Sequence, residues 1–311
     1  MATISRPVVS RPTQVLRLPD GRRMGYGEFG DPAGSPVLFC HGLAASRPTR
    51  HPDDGATAEL GVRLITVDRP GTGLSDPLPG RRVTDWASDV ELLVDALGID
   101  RFSALGWSGG GPHALACAVR LGDRVVRVGL VSSSPPLVGA AARSYLESKW
   151  LRIARLAQWV PWAMRPVFWH RSWVVHRDPV AAHEQSVDEL VPPDRAILAA
   201  PGMHDMFVAS TIEAFRQGAR GVHADAVALA RPWGFDLADV RQDVRLWQGL
   251  EDNVWSPRVA RALGRMLRNS DVTLVPGEGH LLFLARWADL VAWTATGVDA
   301  AREAEAAVAY R

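Results

Sequence analysis

Residues 102–121 read FSALGWSGGGPHALACAVRL, and how this stretch turns decides the fold. Phe102 to Leu105 form a short apolar run of strand character that ends at Gly106. Pro112 to Leu121 follow a helical pattern, with the proline near the start, where its missing N–H is one of the unpaired donors anyway. Between them lies Gly106-Trp107-Ser108-Gly109-Gly110. The small residues around Ser108 permit a sharp strand-to-helix turn that bulkier neighbours would crowd. Such a turn projects the serine hydroxyl from the sheet edge. It also sets the N–H of Gly109 at a helix N-terminus, where developing negative charge is favoured. A glycine-rich turn without chemistry has the same local pattern, so the surrounding strands carry the distinction.

Outward from this turn the pattern alternates. Val15 to Leu18 and Met24 to Phe29 read as a hairpin around the turn signal Pro19-Asp20-Gly21. Pro36 to Cys40, Val62 to Val67 and Val125 to Val131 are short apolar runs ending at His41-Gly42, Asp68 and Ser132-Ser133-Ser134. A helix is predicted over Val83 to Leu97, with Trp86, Val90, Leu93, Val94 and Leu97 on one face and Gly98 closing it. Buried strands alternating with helices predict an α/β fold, a mostly parallel central sheet with helices on both faces. After Pro135-Pro136 the chain becomes helix-like, and strand character returns only at Val244 to Gln248 and Val272 to Val275. The expected organisation is a core of residues 1–136 and 236–311, interrupted by a helical cap or lid over 137–235.

A hydroxyl is a poor nucleophile near neutral pH and needs a base, which in turn needs an orienting carboxylate. Asp252 follows the strand VRLWQ in Gly249-Leu250-Glu251-Asp252, and His280 follows VTLV in Gly277-Glu278-Gly279-His280. Both lie where a loop leaves the carboxyl end of a strand, the edge at which open α/β sheets bind ligands. Ser108, Asp252 and His280 are therefore the expected catalytic residues, with Glu251 as the rival acid. An oxyanion hole needs two donors: Gly109 N–H is one, and the turn Cys40-His41-Gly42-Leu43 offers Leu43 N–H as the other. His41 reads as a brace for that loop or as a second base.

His41-Gly42, DRPGTGLSDP (68–77), GWSGGG (106–111), the Gly-x-x-Asp at 249–252 and the Gly-x-Gly-His at 277–280 together resemble the α/β-hydrolase superfamily, over about residues 17 to 295. The resemblance places the helical insertion where that superfamily carries its lid. It implies that Asp68 and Arg69 brace the loop behind the active site. Members that are epoxide hydrolases or dehalogenases use an aspartate nucleophile, and serine at 108 speaks against both. The resemblance implies a carboxylesterase-like serine hydrolase and leaves the substrate open; an apolar, aromatic insertion roofing the pocket would make that substrate a largely apolar small-molecule ester. The same triad would also serve lactone, thioester, amide or carbon–carbon bond hydrolysis, acyl transfer or cofactor-free perhydrolysis. A different class is a non-catalytic small-ligand receptor, though such proteins often lack a triad residue.

Lys149 to Trp173 is apolar, aromatic and basic, and holds five of the twelve tryptophans. It reads either as a roof over an apolar pocket or as an amphipathic surface that docks on lipid. Pro161 and Pro166 interrupt any long helix and favour the roof, so Trp107, Trp150, Trp159, Trp162 and Trp169 are expected to line the pocket. His204-Asp205 in the same insertion reads as surface. With 35 basic and 34 acidic side chains the net charge is +1, which argues against a nucleic-acid partner. No apolar run reaches the length needed to span a bilayer, the N-terminal stretch MATISRPVVSRPTQVLRLPDG lacks an apolar signal core, and Cys40 and Cys117 read as free buried thiols. A cytoplasmic enzyme without stable membrane insertion is expected. No Cys/His spacing indicates a metal, no phosphate-binding loop indicates a nucleotide, and no cofactor is implied.

Overall fold

Each predicted apolar run becomes a strand of one sheet in the computed structural model, which describes residues 7–309 and their side chains through residue 301. The first six residues of the N-terminal stretch and the last two of the chain lie outside the described residues. The hairpin is β1 (Val9–Arg17) and β2 (Arg23–Gly30). It is followed by β3 (Ser35–Cys40), β4 (Val62–Val67), β5 (Phe102–Trp107) and β6 (Val125–Val131). The last two strands are β7 (Asp243–Gly249) and β8 (Ser270–Val275). Their order is β1-β2-β4-β3-β5-β6-β7-β8. Pairing is antiparallel at β1/β2 and β2/β4 and parallel from β4 onward, giving the mostly parallel sheet expected.

β1 starts six residues earlier than its apolar pattern suggests. Residues 10–14 are mostly exposed and carry no inward stripe, so their pairing with β2 rests on backbone hydrogen bonds and a loose Arg11–Glu28 ion pair at 3.9 Å. The register shifts between Arg11 and Gln14, where Pro12 and Thr13 fall, and an edge strand tolerates a proline at such an irregularity.

Helices cover both faces. α1 (Asp54–Glu59), which the apolar pattern does not reveal, is started by Asp53, whose side chain accepts from Ala56 N–H. α2 (Asp85–Ala96) buries Trp86, Val90, Leu93 and Val94, the predicted face. α3 (Gly111–Leu121) packs on β5 and β6 and buries nearly its whole length.

Between β6 and β7 the described chain is helical: α4 (Ala142–Tyr145), α5 (Ser148–Trp159), α6 (Arg165–Arg177), α7 (Pro179–Asp188), α8 (Pro192–Leu198), α9 (Met203–Ala214) and α10 (Arg220–Leu229). Prolines in the first turns of α6, α7 and α8 end one helix and start the next. Beyond β7, α11 (Pro257–Met266) packs on β7 and β8. The short α12 (Leu282–Ala285) leads into α13 (Trp287–Ala309), which lies across β3, β5 and β6. Among the described residues no helix is long and apolar enough to cross a membrane.

Three carboxylates fasten the inserted helices to the core. Asp225 of α10 receives the Arg69 guanidinium at 2.5 Å and that of Arg81 at 2.7 Å, all three side chains being buried. Glu213 of α9 accepts from Arg47, which also pairs with Asp68. Asp194 of α8 accepts the backbone N–H groups of His280 and Leu281 at 2.9 and 2.8 Å. Arg69 and Asp68 thus sit behind the loop they were expected to brace. All of these contacts lie at the carboxyl ends of the parallel strands.

Candidate active site

The turn after β5 is built around Ser108, whose φ of 52° is a left-handed conformation that side chains rarely adopt. Gly106 and Gly110, two of its three glycines, make it possible. A Cβ on Gly110 would stand 1.9 Å from the Cys40 carbonyl oxygen, and one on Gly106 would meet Gly110 and Gly111 at 2.7 Å. The backbone therefore folds back on itself more tightly than any other residue allows. The Ser108 carbonyl is held by Ser134 N–H at 2.9 Å, which ties the turn to the loop after β6.

His280 and Asp252 meet this serine. The Ser108 hydroxyl lies 3.0 Å from His280 Nε2, and His280 Nδ1 lies 2.9 Å from Asp252 Oδ2. A carboxylate accepts, so Nδ1 carries the proton and Nε2 is free to accept from the hydroxyl. Asp252 is fully engaged: Oδ1 accepts from Val254 and Trp255 N–H, and Oδ2 also accepts from Gln248 Nε2 at 2.8 Å. Burial alone would raise the Asp252 carboxyl, but the charge and hydrogen bond of His280 hold it below the usual carboxylate value. Burial alone would lower the His280 imidazole; the charge and hydrogen bond of Asp252, with the charge of Asp194, raise it above the ordinary histidine value. Glu251, the rival acid, is exposed and makes no hydrogen bond to His280.

The His280 loop is gripped from both sides. Asp194 comes so close beneath it that a Cβ on Gly279 would lie 2.4 Å from a carboxylate oxygen. A Cβ on Gly249 would lie 2.2 Å from the Glu278 carbonyl, so the Asp252 and His280 loops pack backbone to backbone. The Trp107 indole donates to the His280 carbonyl at 2.9 Å.

The Gly42–Leu43 peptide completes the arrangement. Gly42 C=O accepts from Arg69 Nη2 at 2.8 Å and from His41 Nδ1 at 2.9 Å. In a trans peptide the N–H points opposite to the carbonyl, so Leu43 N–H is turned away from Arg69. It faces Gly109, where an added Cβ would sit 3.0 Å from Leu43 N. The two expected oxyanion donors are thus adjacent. His41 is buried beside Arg69, and burial together with that charge holds it neutral, well below the ordinary value. It braces the loop and does not touch Ser108.

Two cavities flank this center. One, of about 380 Å³, contains Ser108 and Gly109 and is walled by Leu137, Trp150, Ile153, Met164, Phe168 and Leu229 among others. The second, of about 220 Å³, contains His280 and Trp107 and is walled on the insertion side by Arg171, His183, Ser186 and Phe207. Leu43 borders both. Trp107 and Trp150 therefore line cavities, whereas Trp159, Trp162 and Trp169 line neither and are 81%, 64% and 44% exposed. The inward faces of α5 carry Ala154 and Ala157, packed too closely for an indole, and Ile153, Met164 and Phe168 form the wall instead. Sequence reasoning did not identify Asp194, Gln248, Ser134, Arg171 or His183. Asp194 lies 86 residues from His280, and only Gly279, a glycine beside the histidine, hinted at a close approach. Among the described residues no cluster of His, Cys, Asp and Glu could hold a metal ion.

A family model described as alpha/beta hydrolase fold matches residues 35–286. A non-heme chloroperoxidase of Streptomyces lividans is 36% identical over 126 residues, 38% of this chain and 44% of that protein. A proline iminopeptidase of Xylella fastidiosa is 34% identical over 113 residues, 33% of this chain and 34% of the relative. The chain thus spans less than half the length of these curated relatives. An esterase from Exiguobacterium antarcticum superposes with a TM-score of 0.68 at 20% identity, covering 92% of this chain and 99% of that one. An enol-lactonase from Burkholderia xenovorans LB400 does so with 0.64 at 18%, with the same coverage. At such identities the likeness is one of fold.

The grip of Asp194 generates a test. Asp194→Ala leaves two buried N–H groups without acceptors, at a cost of about 1–3 kcal/mol each. Urea unfolding is expected to show a loss in that range or above, with faster amide exchange at Leu281. Wild-type stability and exchange would show that the contact is dispensable.

Proposed function

The chain belongs to the α/β-hydrolase family, and from that premise we propose that it is a serine hydrolase of largely apolar small-molecule esters, acting through Ser108, His280 and Asp252. The observation that carries this reading is the continuous hydrogen-bonded chain from Ser108 through His280 to Asp252, opening on the apolar cavity. His280 Nε2 takes the hydroxyl proton as Ser108 Oγ attacks the ester carbonyl. The N–H groups of Leu43 and Gly109 receive the oxyanion, and Asp252 stabilises the imidazolium. His280 then protonates the departing alcohol, leaving an acyl-serine. Water, deprotonated by the same ring, releases the acid and restores the serine.

The helices between β6 and β7 act in this reading as a cap, since α5 and α6 supply Trp150, Ile153 and Phe168 to the cavity that takes the apolar limb. The names of relatives suggest other chemistries on the same scaffold. A dehalogenase reaction needs a carboxylate at the nucleophile position, where this chain has Ser108. An iminopeptidase needs an anionic site for the substrate's amine, and neither cavity is lined by Asp or Glu. Perhydrolysis would pass through the same acyl-serine, with hydrogen peroxide in place of water.

Labelling by a fluorophosphonate probe is expected in the wild type and absent in Ser108→Ala; undiminished labelling of that variant would sink the assignment. Among p-nitrophenyl esters, kcat/KM is expected to rise from acetate through butyrate to hexanoate as the acyl chain fills the apolar cavity. A flat or falling series counts against that use of the cavity.

The attacking base must be neutral, so a raised His280 pKa places the acid limb of kcat/KM above the ordinary histidine value of about 6.5. Activity falls as pH drops through that limb. Asp252→Asn removes the main raising influence and leaves burial, so the limb is expected to move to lower pH while kcat falls roughly 10⁴-fold. A limb that stays in place would show that Asp252 does not set the basicity of His280.

A further inference from the structure

The second cavity carries hydrogen-bonding capacity that the hydrolytic steps do not use. His183 of α7 is 5% exposed, lines this cavity, and its Nε2 is buried without a partner. Its ring stacks on Phe207 and meets His204 edge-on, so it is held in place. Arg171 of α6 lines the same cavity and donates to Ser186 Oγ at 2.6 Å. It pairs with no carboxylate among the described residues; the charge of Glu189 opposes only part of what burial costs it. Burial, His204 and Arg171 push the His183 imidazole down to about 4, so at neutral pH it offers one N–H and no charge. One guanidinium and one neutral N–H match one negative charge with in-plane acceptors, the shape of a carboxylate. A dianion such as phosphate would leave a charge uncompensated.

We propose that this cavity receives a carboxylate at the end of the substrate's second limb. Resting on the serine-hydrolase reading, this makes the substrate an ester with one apolar limb against Trp150, Ile153 and Phe168, and a second limb whose carboxylate meets Arg171 and His183. The reacting carbonyl then lies between the two cavities, beside Ser108 and Leu43. Carboxylate and carboxamide are near-isosteric, so their ratio isolates the charge. Two pairs test it: monohexyl glutarate against monohexyl glutaramate, and the hexanoyl esters of β-hydroxypropionate and β-hydroxypropionamide. In one pair the wild type is expected to favour the carboxylate at least about tenfold in kcat/KM, mostly through KM. That ratio is expected to fall to near unity in Arg171→Met and to survive in part in Arg171→Lys. Ratios near unity in the wild type, or a ratio that Arg171→Met leaves unmoved, would overturn the proposal. Should Arg171→Met fail to take up the fluorophosphonate, the lysine variant and the wild-type ratios decide. A wild type that labels and cleaves p-nitrophenyl hexanoate without discriminating overturns this inference alone; one that does neither overturns the hydrolase reading.

A second, independent observation concerns the outside of α5 and α6. Besides Arg171 of the cavity and Lys149, which pairs with Glu147, residues 148–177 contain Arg152, Arg155, Arg165 and Arg177 and not one Asp or Glu, in a chain of net charge +1. On the same hairpin Trp159, Trp162, Val167 and Trp173 are 57–81% exposed. Trp169, Trp173 and Arg177 share one helical face, with Arg177 over the Trp173 ring. Arg155, Arg165 and Arg177 pair with no carboxylate among the described residues. Indoles beside unpaired guanidinium groups suit the headgroup level of an anionic bilayer. A second copy would set two faces of the same sign together.

The geometry points to reversible docking of this hairpin on anionic lipid. In flotation, binding is expected to vesicles of phosphatidylcholine with phosphatidylglycerol, to weaken with salt, and to be small on phosphatidylcholine alone. The double variant Trp159→Ser, Trp162→Ser is expected to lose most of it while still taking up the fluorophosphonate. Equal binding to both vesicles, no binding, or a dimer broken by the same variant would overturn the inference.

Discussion

The buried pair between Arg69 and Asp225 is the interaction on which the remainder is arranged. Arg69 leaves the end of β4, reaches under the loop after β3 and holds the carbonyls of His41 and Gly42. Asp225 belongs to α10 and supplies the counter-charge from the inserted helices. A guanidinium this deeply buried cannot remain without an anion, and losing one partner of such a pair typically costs about 3–5 kcal/mol. That is a large share of the stability of an ordinary domain, about 5–15 kcal/mol. The orientation of the Leu43 amide therefore depends on a residue more than 150 positions away.

The histidine shows the same division of labour. Asp252 binds its ring from the core, and Asp194 binds its backbone from the insertion. The first sets the tautomer and most of the basicity, the second holds the loop in position and adds its charge to that basicity. Neither can do the other's work, because one carboxylate faces Nδ1 and the other faces two amide N–H groups. The helices between β6 and β7 thus contribute to the placement of His280 beside Ser108 and Asp252 as well as to the cavity walls.

Much of this was legible in the sequence because it is local. A strand, a five-residue turn with three glycines and a helix announce Ser108 within twenty residues, and Asp252 and His280 follow their strands in the same way. The parallel sheet follows from apolar runs ending in polar loops. Pairings between distant segments were not legible. Asp194, Asp225 and Glu213 are ordinary acidic residues in helical stretches, and nothing nearby marks them as buried. The tryptophans misled for a related reason. Composition says that a segment is aromatic, but helical phase decides which side each ring faces, and alanines took the inward positions of α5. The early start of β1 escaped notice because its pairing rests mainly on the backbone, which every sequence shares.

The three carboxylates of α8, α9 and α10 have a consequence for how this chain can diverge. An insertion joined only by its two ends could be exchanged between relatives like a cassette. Here each carboxylate fits a particular recipient: Gly279 with the backbone of the histidine loop, Arg47 beside Asp68, and Arg69 with Arg81. A transplanted set of helices that lacked Asp225 or Asp194 would leave stranded cations or a pair of unbonded amides beside Ser108 and His280, whereas Arg47 would keep Asp68. Ancestral drift in α8 to α10 is therefore coupled to drift in the core, while α5 and α6, which carry no such strap, are free to change. Change in the walls of the Ser108 cavity is thus open to substitution in that hairpin and closed to wholesale exchange of the helices between β6 and β7.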